Sequence, residues 1–335
     1  MKTKLLAIEA DKPNLEILQE AVAIIKKGEL VAFPTETVYG LGADAFNPKA
    51  VAKIFKAKNR PGDNPLIVHI SDLSQLKDIV STVPKSAKIF MKKFWPGPLS
   101  IVFHKHKNLP RKTTAGLDTV VVRFPKHEVA KKLIELAGTP IAAPSANLSG
   151  RISPTRAEHV LADLNGKIPM ILDAGSIEYG LESTVVDCTE KKPIVLRPGS
   201  ITLEMLKDCV PGTRVSTDSE SSRSPGTKYK HYAPLTPILL FTGTEQKTEV
   251  AIKEYLKGKG EGVVLLWHSG DFSYLENNYQ LSSNSFEAAP LLFSTLREAD
   301  LLTSKTIIIQ GYSNDDIGVA IMNRLQKAAT EIIEV

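Results

Sequence analysis

Four short segments carry side chains suited to chemistry on an anionic substrate. The first, Pro34-Thr35-Glu36-Thr37-Val38-Tyr39-Gly40-Leu41-Gly42, follows an apolar run. That placement puts hydroxyls and glycine-flanked N–H groups at the edge of a sheet, where ligands dock; a plain strand-turn-strand accounts for the same residues. The second, Lys56-Ala57-Lys58-Asn59-Arg60-Pro61-Gly62-Asp63-Asn64-Pro65, leaves a helix and enters a strand ending at His69. Lys58 and Arg60 either offset a helix dipole or, braced by the Pro-Gly turn, aim two cations at phosphate or carboxylate. The third, Pro144-Ser145-Ala146-Asn147-Leu148-Ser149-Gly150 with Ser153 close behind, sets small hydroxyls and amides at a strand-to-helix junction whose backbone N–H groups suit an anion. The fourth joins Leu181-Glu182-Ser183-Thr184 to Val195-Leu196-Arg197-Pro198-Gly199. Arg123, in Val122-Arg123-Phe124-Pro125, is another arginine closing an apolar run. Arginines beside several strand ends point to an anion-rich ligand.

Some chemistries are excluded by absence. The sequence contains no G-x-x-x-x-G-K-[ST] and no kinase signature set, so it is not an ordinary P-loop enzyme. Ser145 lacks a G-x-S-x-G elbow, which argues against a serine hydrolase. Without H-E-x-x-H or a Cys/His cluster, a resident transition metal is not expected; a divalent ion would travel as Mg²⁺ with nucleotide phosphates.

The elements that must position these residues follow from periodicity. The chain has 335 residues, 42% hydrophobic and 24% charged, which suits two folded domains and excludes wholesale disorder. The sequence predicts an α/β domain over 1–210, with strands at Leu30–Phe33, Pro65–Ile70, Leu99–Phe103, Thr119–Phe124, Pro140–Ala143, Met170–Asp173, Ser183–Asp187 and Ile194–Arg197. Asn47-Pro48 starts a helix at Lys49–Lys58, and Thr155-x-x-Glu158 reads as a capping box ahead of Ala157–Leu164. Residues 211–236 are rich in Ser, Pro, Gly and Thr and read as a linker, yet Lys228, Tyr229, Lys230, His231 and Tyr232 would also suit a lid over a ligand. Over 237–335, runs at Ile238–Phe241, Gly262–Trp267 and Thr306–Gln310 alternate with helices at Lys247–Lys257, Phe286–Ala299 and Gly318–Thr330, the pattern of a small parallel-sheet domain.

Charge is uneven: net +5 overall, with 19 Lys/Arg against 10 Asp/Glu in residues 1–112 and 8 against 13 in 241–335. A positive field of this kind serves nucleic acid or nucleotide phosphates alike, and a module reading double-stranded RNA by shape is one alternative. Two cysteines, no long apolar stretch and no apolar h-region near the N-terminus lead to the expectation of a reducing cytoplasm and no membrane span.

Taken in order, PTETVYGLG, KAKNRPGDNPLIVHI, FWPGPLSIVF, TVVVRFP, APSANLSG, ESTVVD and VLRPGSI resemble the threonylcarbamoyl-AMP synthase family, the YrdC-like proteins, in its long two-domain form. The resemblance implies a YrdC-like twisted mixed α/β sheet followed by a smaller Rossmann-like domain. It also implies a nucleotidyltransferase that converts L-threonine, bicarbonate or CO₂, and ATP with Mg²⁺ into threonylcarbamoyl-AMP and pyrophosphate. A separate transferase complex would pass the group to tRNA, so stable tRNA binding here is not required. Carried over onto these positions, Lys58 and Arg60 are catalytic. ATP is held by these two with Asn64, Thr119, Ser145, Asn147, Ser153, Arg197 and Tyr232, and L-threonine by Thr35, His69, Arg123, Ala143 and Ser183. No residue stands out as a general base. The carbamoyl transferases of hydrogenase maturation are the second enzyme class weighed, but they need added segments and cysteines that this chain lacks.

Overall fold

A computed structural model describes residues 2–217, 232–258, 262–302 and 304–335. The chain divides into two compact units, described over residues 2–149 with 153–217, and over 150–152 with 232–258, 262–302 and 304–335. Lys228–His231, part of the segment suited to a lid, lie outside the described residues.

The first unit is built on eleven strands: β1 (Lys4–Ala7), β2 (Val31–Phe33), β3 (Gly40–Asp44), β4 (Ile67–His69), β5 (Leu99–His104), β6 (Thr119–Arg123), β7 (Ile141–Ala142), β8 (Met170–Asp173), β9 (Thr184–Asp187), β10 (Ile194–Arg197) and β11 (Arg214–Val215). Their order across the sheet is β1-β8-β2-β3-β7-β4-β6-β5-β9-β10-β11. The sheet is mixed: β4 and β6 are parallel, while β5 and β6 are antiparallel.

Helices cover both faces. α1 (Leu15–Lys26) is capped by Asn14, whose side chain accepts from Glu16 N and Ile17 N, and buries Leu18, Ala21, Val22 and Ile25. With α5 (Glu128–Ala137) it closes a core over Val31, Phe33, Met170 and Leu172. The opposite face meets α2 (Pro48–Lys58), α4 (Lys85–Phe94), α6 (Ala157–Leu164) and α7 (Leu203–Cys209), with the short α3 (Leu76–Ile79) alongside. The two-residue strand period sorts the side chains: Val68, Leu99, Ile101, Val120 and Val122 enter that second core. Their neighbours Ile67, Val102, Val121, Val185 and Ile194 form a smaller patch on the other side. Ser100, His69 and Arg123 share that other side by the same alternation, which places three polar groups in one row.

α2 begins as expected, with Asn47 accepting from Lys49 N and Ala50 N and Pro48 in the first turn. The capping box at Thr155 and Glu158 does not form. Arg156 occupies the cap of α6 with no side-chain bond, and Thr155 N donates instead to His159 Nδ1 at 3.3 Å. At the start of the expected linker, Arg214–Val215 extend the first sheet parallel to β10, because β10 otherwise leaves a row of backbone groups unpaired.

The second unit is a five-stranded, all-parallel sheet: β12 (Ile238–Thr242), β13 (Val263–Trp267), β14 (Asn278–Gln280), β15 (Thr306–Gln310) and β16 (Glu331–Glu334), ordered β14-β13-β15-β12-β16. α8 (Glu245–Leu256), α9 (Ser285–Leu301) and α10 (Gly318–Ala328) are the crossovers that parallel pairing requires. The final helix stops at Ala328 rather than Thr330, and Glu331–Glu334 turn into an edge strand beside β12. Among the described residues, no helix is long and apolar enough to cross a membrane.

Candidate active site

Arg123 anchors one half of the site. It ends β6, in register with His69 on β4 and Ser100 on β5. Its Nη2 lies 2.7 Å from Glu36 Oε2, with the two side chains only 4% and 3% exposed. Nη1 donates to Thr37 Oγ1 at 2.7 Å and Nε to the Gly97 carbonyl at 3.4 Å. Thr37 Oγ1 is 3.0 Å from Thr35 Oγ1, which donates to the Val38 carbonyl at 2.6 Å. The PTETVYG turn therefore sets the Thr37 hydroxyl on the guanidinium, with the Thr35 hydroxyl behind it. Burial, then the adjacent Arg123 charge, lowers His69 to about 3. Its imidazole is neutral at pH 7, and its buried Nδ1 has no hydrogen-bond partner among the described residues.

Across the sheet, Ser100 Oγ is 2.7 Å from Ser183 Oγ. Arg197, the last residue of β10, grips Ser183 through Nε and Nη2 to its carbonyl at 3.1 and 2.9 Å and through Nη2 to Oγ at 3.2 Å. Ser153, buried, donates to Glu182 Oε1 next door. Gly199 makes this approach feasible: a Cβ there would stand 2.5 Å from Thr184 N and 2.7 Å from the Glu182 carbonyl.

Lys58 anchors the other half. The last residue of α2 is 1% exposed, and its Nζ donates to the Ser145 carbonyl at 2.6 Å and to the Asn147 carbonyl. Ser145 Oγ donates to Asn147 Oδ1 at 2.6 Å, and Ser149 N returns to the Lys58 carbonyl at 2.8 Å. The S-x-N loop and the K-x-R turn thus form one knot. The reversal after α2 uses Asn59 at φ 52°, in the left-handed region that Asn tolerates. Arg60 then donates to the Asn64 carbonyl at 3.3 Å and the Pro65 carbonyl at 3.1 Å.

Residues 35–40 join the halves. Beyond the Thr35 turn, Gly40 bridges Ser145, Ala146 N donates to the Tyr39 carbonyl at 2.8 Å, and Tyr39 N donates to the Pro154 carbonyl at 2.9 Å. Ala143 is tied to β4 by its N–H to the Ile67 carbonyl at 2.9 Å. The residues singled out in the sequence are thereby linked in one unit, with two qualifications. Thr119 opens β6 on the Arg123 face but four residues away from it. Tyr232 belongs to the second unit, where its ring stacks on Phe293 at 5.5 Å.

Glu36 and Thr37 lie in the first segment above with no role of their own assigned, and Ser100 was not singled out. The sequence signal for Ser100 is its position, out of phase with Leu99, Ile101 and Phe103. Among the described residues, no group of three or more His, Cys, Asp or Glu is arranged to hold a metal.

Comparison with known proteins places this arrangement. The family model grouping Sua5, YciO and YrdC proteins, described as telomere recombination, matches residues 23–199. A model described as threonylcarbamoyl-AMP synthase, C-terminal domain, matches 201–330. The threonylcarbamoyl-AMP synthase of Pyrococcus abyssi is 44% identical over 320 residues, spanning 92% of this chain and 93% of its own. The chain belongs to the threonylcarbamoyl-AMP synthase family. The synthase of Bacillus subtilis is also 44% identical, over 321 residues, spanning 93% of this chain and 92% of its own. A solved structure of Pyrococcus abyssi Sua5 complexed with L-threonine superposes with a TM-score of 0.94 at 42% identity, covering 99% of this chain and 100% of that one. The expected architecture of a threonylcarbamoyl-AMP synthase, a mixed sheet followed by a Rossmann-like parallel sheet, is therefore the one this chain adopts.

Proposed function

We propose that the chain condenses L-threonine, bicarbonate or CO₂, and ATP into threonylcarbamoyl-AMP and pyrophosphate, as a nucleotidyltransferase supplying tRNA threonylcarbamoyladenosine formation. The observation that carries the reading is the buried Arg123 beside neutral His69 and paired Ser100 and Ser183, joined through residues 35–40 to the Lys58 knot. One half suits an amino acid and the other a polyphosphate. A homologue crystallised with L-threonine supports the first assignment.

Thr35, His69, Arg123, Ala143 and Ser183 are assigned to L-threonine. Lys58, Arg60, Asn64, Thr119, Ser145, Asn147, Ser153 and Arg197 are assigned to ATP, with Tyr232 on the resemblance alone. The threonine ammonium loses one proton to bicarbonate or water, and its nitrogen adds to the carbon of CO₂ as a second proton leaves the same way, giving the carbamate. A carbamate oxygen then attacks the α-phosphorus of ATP as the bond to pyrophosphate breaks. Both reactants of this second step are anions, so Lys58 and Arg60 lower its barrier by neutralising phosphate charge, and enclosure limits loss of the carbamate to water. The donors at the nucleotide half are cations, hydroxyls and amides, which suit phosphate oxygens, so Mg²⁺ is proposed to arrive with the triphosphate as part of the substrate. The product passes to a separate transferase complex, and stable tRNA binding is not needed. Cys188 and Cys209 as free thiols fit a reducing cytoplasm; burial pushes the Cys188 thiol up to about 12, so it is inert.

The test is mass spectrometry of the product formed with isotopically labelled bicarbonate: label in a threonine- and AMP-containing product supports the reading. Labelled product that forms equally without threonine overturns it.

A further inference from the structure

The buried pair of Arg123 and Glu36 has an uncommon feature. Nη2 and Oε2 are 2.7 Å apart, yet neither atom makes an aligned hydrogen bond among the described residues. The remaining contacts of the two residues are directional: Arg123 donates to Thr37 and Gly97, and Glu36 Oε1 accepts Lys126 N at 3.1 Å. One positive and one negative atom are thus fixed side by side by neighbours. An α-amino acid presents the complementary pattern, a carboxylate and an ammonium on one carbon.

Resting on the threonine assignment above, we infer that Glu36 is a specificity-determining residue: its carboxylate balances Arg123 so that the site admits a zwitterionic hydroxy-amino acid and rejects the hydroxy acid that lacks the ammonium. Arg123 alone would accept any small carboxylate. Beside Glu36, a bare anion gains one attraction and meets one repulsion, whereas a zwitterion gains two attractions. His69 adds no charge to this balance, since it stays neutral where the substrate binds. Arg197, the other cation on this row, is turned onto the Ser183 carbonyl and is assigned to nucleotide.

The selectivity has a chemical purpose. A hydroxy acid cannot form a carbamate, because it has no nitrogen to add to CO₂, and its binding would occupy the site without turnover. Discrimination at the ammonium therefore tests for the atom on which the reaction depends.

The experiment is calorimetric binding of L-threonine and of (R)-3-hydroxybutyrate, the same molecule without the amine, to the full chain and to Glu36→Gln. The wild-type protein is expected to bind threonine and to bind 3-hydroxybutyrate far more weakly. In the variant the ratio of the two dissociation constants should shift by about tenfold or more toward the hydroxy acid, the scale expected for removing one unit charge a few ångströms away. Glu36→Asp keeps the charge and must keep the ratio even where both affinities fall, which separates charge balance from simple support of the fold. An unchanged ratio in Glu36→Gln, or an equal shift in Glu36→Asp, overturns the inference. Wild-type protein that binds no threonine overturns the functional reading, and this inference with it.

Discussion

Lys58→Met separates two jobs assigned to one cation. Lys58 Nζ is the donor to the Ser145 and Asn147 carbonyls at a position that is 1% exposed. Methionine fills a similar volume and donates nothing, so two acceptors lose a partner where water has little access. Stranding each costs about 1–3 kcal/mol, or about 2–6 kcal/mol for the pair. At about 2–4 °C per kcal/mol for a unit of this size, the melting temperature should drop by roughly 4–24 °C. Arg60→Met is the control. Arg60 is half-buried, so water can take over at the Asn64 and Pro65 carbonyls, and the cost should stay near about 1 kcal/mol. Both changes remove a charge from the proposed triphosphate site, and each should lower pyrophosphate release by about 10²-fold or more. The assay pairs scanning calorimetry with pyrophosphate release over an ATP titration. Lys58→Met melting with the wild type would refute the tether, and wild-type turnover in both variants would refute the charge argument.

Further outcomes follow from the same geometry. His69 titrates near 3 when folded against 6.5 when unfolded, so the unfolded chain takes up a proton that the folded one refuses. Stability should therefore fall with pH below about 6.5, by about 2 kcal/mol at pH 5 from this residue. Urea unfolding at pH 7 and pH 5 should show a shallower loss in His69→Gln, and equal losses would contradict the assignment. Ser183→Ala strands the fully buried Ser100 hydroxyl, costing about 1–3 kcal/mol, and should raise KM for threonine more than KM for ATP in steady-state assays. Gly199→Ala forces a Cβ against the Thr184 and Glu182 backbone, so a melt should show a loss of at least about 1–3 kcal/mol, with affinity for both substrates reduced.

Local chemistry was legible in the sequence where one segment decides the outcome. Asn47-Pro48 specifies the start of α2 because cap and first turn are neighbours, and TIIIQ at 306–310 reads as a buried parallel strand because both its faces are covered. The K-x-R and S-x-N signatures were visible, but not that Lys58 reaches the S-x-N carbonyls 87 and 89 positions away. The pairing of Glu36 was hidden for the same reason: its partner Arg123 is brought to it by the sheet, and a carboxylate in a turn is ordinarily solvated. Short strands were hidden too. Lys4–Ala7 and Arg214–Val215 have largely exposed side chains and no alternation, and they are strands because β8 and β10 offer unpaired backbone. Thr155-x-x-Glu158 misled in the opposite direction, since His159 captures the Thr155 N–H.

The most direct test of the central claim is pyrophosphate release from ATP with Mg²⁺ and bicarbonate, measured with and without L-threonine. Release that requires threonine and disappears in Arg60→Ala is the predicted result. Folded protein that releases no pyrophosphate under any of these conditions, yet binds double-stranded RNA tightly without threonine, would contradict it.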